Sequence, residues 1–120
     1  MKRHTCLVDL AAVLLGVMLL AACGGGAPAV QEIKVDASEF KFEPATLSLK
    51  VGQPVRVMVA NIGALEHTFT ITDLGVDQDL PVGQTVTVEF TATQSGTFDL
   101  VCTTPGHKEA GMVGTVVVNP

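Results

Sequence analysis

The chain has 120 residues, 48% of them hydrophobic, no Trp or Tyr, and a formal charge of −5 from 7 Lys plus Arg against 12 Asp plus Glu. That length suits one small domain with one core, and the acidic balance lacks the electrostatic footprint that nucleic-acid binding requires. An acidic surface favours encounter with a basic protein partner, with solubility alone as the plainer explanation.

The N-terminus stands apart from the rest. Met1-Lys2-Arg3-His4 is a short positive start, Leu10 to Leu20 is an apolar run, and Leu20-Ala21-Ala22 brings small residues up to Cys23. This is the layout of a secretory signal over residues 1–22, whose apolar run is too short for a spanning helix, with Asp9 the one residue at odds with it. Leu20-Ala21-Ala22-Cys23 also resembles the lipobox of bacterial lipoproteins, which implies that Cys23 becomes a lipidated N-terminal residue. Ordinary cleavage beside an incidental cysteine is the alternative. Residues 23–30 then form the anchor and a flexible linker, since Gly24-Gly25-Gly26-Ala27-Pro28-Ala29 has a tether's composition. Losing Lys2, Arg3 and Asp9 with the signal takes the formal charge from −5 to −6. The expectation is an extracytoplasmic, membrane-anchored lipoprotein on the periplasmic or cell-surface side, with a folded domain over residues 31–120.

Within that domain, short β-rich runs recur with Gly, Pro, Asn or Asp between them, and no amphipathic helix stands out. Ile33 and Val35 alternate with polar neighbours, as do Phe40 and Phe42. Leu47, Leu49 and Val51 precede a turn at Gly52-Gln53-Pro54. Val55, Val57 and Val59 follow and end at Asn61-Ile62-Gly63, with Met58 either filling a gap inside or lying opposite the valine face. His67, Phe69 and Ile71 share one face of a strand, because side chains repeat every two residues. Val86, Val88 and Phe90 come next, then Phe98, Leu100 and Cys102, and last Val113 with the Thr115–Val118 run. Seven or eight strands predict an all-β, Greek-key sandwich or barrel of two antiparallel sheets.

The chemistry concentrates in one loop. Cys102-Thr-Thr-Pro-Gly-His107-Lys-Glu-Ala-Gly-Met112 carries a thiol, an imidazole and a thioether at intervals of five residues. On a helix each would turn about 140° from the last, and on a strand Cys102 and His107 would lie on opposite faces about 16 Å apart. Only a folded loop brings them together, and Pro105, Gly106 and Gly111 favour one. Cys102 also lacks a disulfide partner in the expected mature chain, since Cys6 would leave with the signal and Cys23 would be alkylated. Upstream, His67 points to the same interior from a strand.

Each of these residues has a plainer reading when taken alone: a core His holding a hydrogen bond, a Cys acting as a small hydrophobe, a Met filling space. Together, two His, one Cys and one Met are the donors of a trigonal copper site with a weak axial thioether. Zinc with two His, one Cys and a water is the rival, but a thioether is a poor zinc ligand.

Val101-Cys102-Thr103-Thr104-Pro105-Gly106-His107 with Gly111-Met112-Val113-Gly114, preceded by Gly96-Thr97-Phe98, closely resembles the cupredoxins, or blue copper proteins. The ligand spacing is most similar to the auracyanin and rusticyanin branch, whereas plastocyanin-type loops are usually shorter before the His. The resemblance covers residues 31 to 120. It implies one type 1 copper per chain, with His67 and His107 binding through Nδ1, Cys102 as equatorial thiolate and Met112 as axial thioether. It implies an electron carrier, not an enzyme, that meets redox partner proteins such as cytochromes as a monomer. Many relatives carry Asn after the first His; here Thr68 stands there, so the brace between the ligand segments either runs through the Thr68 and Thr103 hydroxyls or is weaker. The alternative function is a copper carrier or chaperone. A catalytic copper oxidase would need further His ligands, which the mature chain does not have.

Overall fold

The computed structural model describes Gly26 and residues 28–120. The signal over residues 1–22 and the anchor Cys23 lie outside the described residues. Nine strands and one 3₁₀ turn make up the domain: β1 Gln31–Ser38, β2 Lys41–Glu43, β3 Thr46–Lys50, β4 Pro54–Asn61, β5 His67–Ile71, the 3₁₀ turn Thr72–Leu74, β6 Val76–Leu80, β7 Thr85–Thr91, β8 Gly96–Val101 and β9 Val113–Asn119. Among the described residues no helix is long and apolar enough to cross a membrane.

Two sheets pack face to face, one in the order β2-β1-β4-β7 and the other β3-β9-β8-β5-β6. The clearest alternation builds the clearest strand: Val55, Val57 and Val59 of β4 are buried while Pro54, Arg56, Met58 and Ala60 are only half-buried on the other face. Met58 therefore lies opposite the valines. Those valines meet Val35, Phe42, Leu47, Leu49, Phe69, Ile71, Leu100, Val116 and Val118 in one core between the sheets. Burying apolar area on this scale is the main favourable term in forming the sandwich.

The structure corrects the sequence reading in three places. The strands number nine rather than seven or eight, chiefly because β6 reads Val-Asp-Gln-Asp-Leu. Its Asp77 and Asp79 depress strand propensity, yet Val76 and Leu80 are buried at its two ends. The sheets are mixed rather than antiparallel: β1 pairs parallel with β4, and β3 with β9. Alternation reports which face is buried but not the direction of the neighbouring strand. Phe40, finally, is not a strand residue inside the core; it sits in the turn between β1 and β2 and is 37% exposed.

Candidate metal centre

The site lies at one end of the sandwich. His67 opens β5, and the register pairing it with Leu80 of β6 turns its ring inward beside Phe69. The preceding loop is fixed by Asn61, a buried polar residue at the end of β4. Its Nδ2 donates to the carbonyls of Leu65 and Leu80, each at 2.8 Å, and its Oδ1 accepts from the Gly63 N–H at 3.0 Å. With donors and acceptor satisfied, burying this amide carries little penalty, and the loop that delivers His67 is fastened at both ends. The sequence reading had Asn61 only as a turn residue.

The loop after β8 folds on itself as the spacing requires. The N–H of His107 donates to the Thr104 carbonyl at 3.0 Å, that of Met112 to the His107 carbonyl at 3.0 Å, and that of Cys102 to the Met112 carbonyl at 3.1 Å. The three residues that carry donors are thus tied together by their own backbones. Gly106 and Gly111 have φ of 84° and 108°, a region that side chains other than glycine's rarely enter.

His67, Cys102 and His107 come together in consequence. His67 Nδ1 and His107 Nδ1 are 3.0 Å apart, with Cys102 Sγ 3.6 Å from the His107 nitrogen and 4.0 Å from the His67 nitrogen. The point equidistant from these three atoms lies about 2.1 Å from each, within about 0.2 Å of the bonds that imidazole (about 2.0–2.1 Å) and thiolate (about 2.3 Å) make to zinc. Met112 is also buried against this core, fully enclosed at 0% exposure, as is Cys102, while His67 is 1% and His107 8% exposed. A trigonal set of two imidazoles and a thiolate, with a thioether in the same loop, is a donor set that fits copper.

The surrounding groups hold these donors in place. The Thr68 N–H donates to Cys102 Sγ at 3.4 Å, a bond that fixes where the sulfur points. The question left open at Thr68 resolves as a hydroxyl brace: Thr68 Oγ1 accepts from the Thr103 N–H at 2.8 Å and lies 3.0 Å from Thr103 Oγ1 and 3.1 Å from Thr70 Oγ1. Thr70 in turn contacts Asp77 Oδ1 at 2.9 Å.

Two further residues at the site were not read from the sequence as part of it. Glu39, in the β1–β2 turn, places Oε1 2.9 Å from the N–H groups of Ala64 and Leu65 and 3.2 Å from His67 Nε2. The Leu65 N–H, more than any other group, holds its carboxyl below the usual carboxylate value. An ionised carboxylate can only accept, so a hydrogen bond between the two has Nε2–H as its donor. Phe40, next in the chain, packs edge-on against the His107 ring with centroids 5.0 Å apart. No motif marks Glu39 and Phe40, which lie far from the ligand loop in sequence.

The fold and this donor cluster define a small copper-type β-sandwich, and the comparisons agree. The chain belongs to the family described as Cupredoxin-like domain, which matches residues 10–118. It is 32% identical over 117 residues to the "Copper-resistant cuproprotein CopI" of Rubrivivax gelatinosus, covering 79% of this chain and 70% of that protein. It is 28% identical over 146 residues to "Auracyanin-A" of Chloroflexus aurantiacus, covering 85% and 90%. The crystal structure of dithionite-reduced auracyanin from Roseiflexus castenholzii superposes with a TM-score of 0.67 at 23% identity, covering 79% of this chain and all of that one. At that identity the likeness speaks for the fold.

Proposed function

We propose that the chain is a membrane-tethered electron-transfer protein holding one type 1 copper through His67, Cys102, His107 and Met112. The observation that carries the reading is the convergence of three buried donors on a point about 2.1 Å from each. When bound there, copper supplies a single-electron couple between Cu(I) and Cu(II). The protein's part is to keep the donors still: backbone bonds within the loop fix Cys102, His107 and Met112, and the threonine brace ties that loop to β5. Little rearrangement on gaining or losing an electron makes transfer fast. A cleft of about 260 Å³ beside the site, lined by residues including Glu66, Asp79, Leu80 and Pro81, touches His67 but none of the other three donors. That arrangement favours passing electrons over binding a substrate at the metal.

A second reading, a copper carrier or chaperone, draws on the similarity to a copper-resistance protein. The enclosed donors favour retention over exchange. Copper-loaded protein should show an intense visible band that reductant bleaches, and should release copper to a chelator slowly while exchanging electrons fast. A colourless copper-loaded protein overturns the type 1 assignment, and rapid release of copper would favour the carrier.

The same reading places the domain outside the cytoplasm, anchored through lipidated Cys23 with residues 23–30 as tether after loss of residues 1–22. Its partners are redox proteins, which it meets as a monomer. Lipid chains contribute about 0.8 kcal/mol per buried CH₂, so two or more hold stably. Membrane fractionation with mass spectrometry of the mature N-terminus tests this; a soluble protein with an unmodified Cys23 removes the anchor.

A further inference from the structure

Two consecutive residues of the β1–β2 turn reach the two imidazoles of the site, one each. Glu39 meets the His67 ring at Nε2, 3.2 Å away. Phe40 packs T-shaped with the His107 ring. The turn belongs to the sheet that supplies none of the four donors, so the contact crosses from one sheet to the other.

From this juxtaposition we infer that Glu39 is the positioning residue of His67: its carboxylate keeps the ring proton on Nε2, aims Nδ1 into the site, and sets its negative charge behind the ring.

Two features support a built contact. The same oxygen, Oε1, also takes the N–H groups of Ala64 and Leu65 at 2.9 Å each, so the carboxylate is held by the loop it organises and does not swing free. Gly63 makes room for it: a Cβ at that position would stand 2.8 Å from the Glu39 Cδ, so the carboxylate, the movable end of its side chain, would have to shift out of its place. The missing side chain at Gly63 is the slot the carboxylate fills. A carboxylate bonded to the far nitrogen of a ligating imidazole raises the ring's basicity and fixes its orientation. Its negative charge stabilises Cu(II) more than Cu(I), so it lowers the reduction potential. This redox half rests on the copper reading; the tautomer half does not.

The test separates the two. In metal-free, full-length protein, imidazole nitrogen NMR should show His67 as the Nε2–H tautomer. Glu39→Ala should let the two ring nitrogens average, and Gly63→Ala, which blocks the slot while keeping Glu39, should do the same. Glu39→Gln still offers an oxygen to Nε2–H and should keep the tautomer. Phe40→Ala leaves the carboxylate in place and should keep it too. A His67 unchanged in both Glu39→Ala and Gly63→Ala overturns the inference, and so does a His67 that averages as much in Phe40→Ala. With copper bound, Glu39→Gln should shift the Cu(II)/Cu(I) balance about tenfold toward Cu(I), a rise of about 59 mV for one electron. An unchanged potential overturns the role assigned to the charge. Because the NMR uses metal-free protein, failure to bind copper would defeat the proposed function and leave the tautomer result standing.

Discussion

Strand β4 and the loop 102–112 both bury a row of side chains, by opposite means. In β4 the buried positions Val55, Val57 and Val59 come every second residue, and the ladders to β1 and β7 hold the backbone. In the loop the buried positions Cys102, His107 and Met112 come every fifth residue. No regular element has that period, so the backbone closes on itself through turns with two glycines at positive φ. Regular burial of apolar groups marks scaffold. Irregular burial of nitrogen and sulfur donors marks a site, because only a ligand's demands account for its geometry.

Substitutions on the two sides of this comparison should affect different observables. The largest effect is expected at Cys102, whose thiolate is the source of any intense visible charge-transfer band. Cys102→Ser nearly conserves volume in the fully enclosed position, so circular dichroism should stay that of a folded β-sandwich while the absorption of copper-loaded protein vanishes. A Cys102→Ser protein that remained blue would remove Cys102 from the site and the contrast with it.

On the scaffold side, Val57→Ala empties part of a fully enclosed position between the sheets. Loss of the transferred methyls plus the cavity costs about 2 kcal/mol, measurable by urea unfolding. Its visible spectrum should match the wild type. A changed spectrum would show that β4 helps shape the metal centre after all.

Met112 lies between these cases, since it is packed as a core residue and offered as a weak donor. Met112→Leu removes a donor that favours Cu(II), so the potential should rise; Met112→Gln supplies a harder oxygen, so it should fall. Met58→Leu, on the half-buried face of β4, should move the potential little. Voltammetry that finds both Met112 variants shifting in one direction, or Met58→Leu shifting as much, takes Met112 out of the axial role.

The same contrast explains what could be read before folding. Period-two runs such as Val55, Val57 and Val59 announce a strand directly, and the clustering of scarce donors around residues 102–112 announces the site, because both signals are local. Parallel pairing of β1 with β4 and of β3 with β9 leaves no mark in either strand's own pattern. Strand β6 is hidden by Asp77 and Asp79, whose outward positions become visible only once β5 is beside them. Glu39, Phe40 and Asn61 act on the site from distant or turn positions, where an acid, an exposed aromatic or an amide ordinarily means only solvent or a turn.

The smallest effect is expected at the brace that joins the two regions of the site. Thr68→Val keeps the branched shape and removes the hydroxyl that takes the Thr103 N–H at 2.8 Å and lies 3.1 Å from the Thr70 hydroxyl. Neither donor is left stranded, since Thr103 is exposed and can turn to water, and Thr70 keeps Asp77 at 2.9 Å. The net loss should be about 1–2 kcal/mol, at about 0.5–1.5 kcal/mol for each hydrogen bond removed. The bond from the Thr68 N–H to Cys102 Sγ belongs to the backbone and survives the change, so the thiolate retains its donor and the protein its colour. Urea unfolding should therefore record a slight loss of stability, and voltammetry a shift smaller than that of Met112→Leu. A shift as large as the Met112 one would mean that the hydroxyl tunes the sulfur itself, and the threonines would then belong with the donors and not with the scaffold.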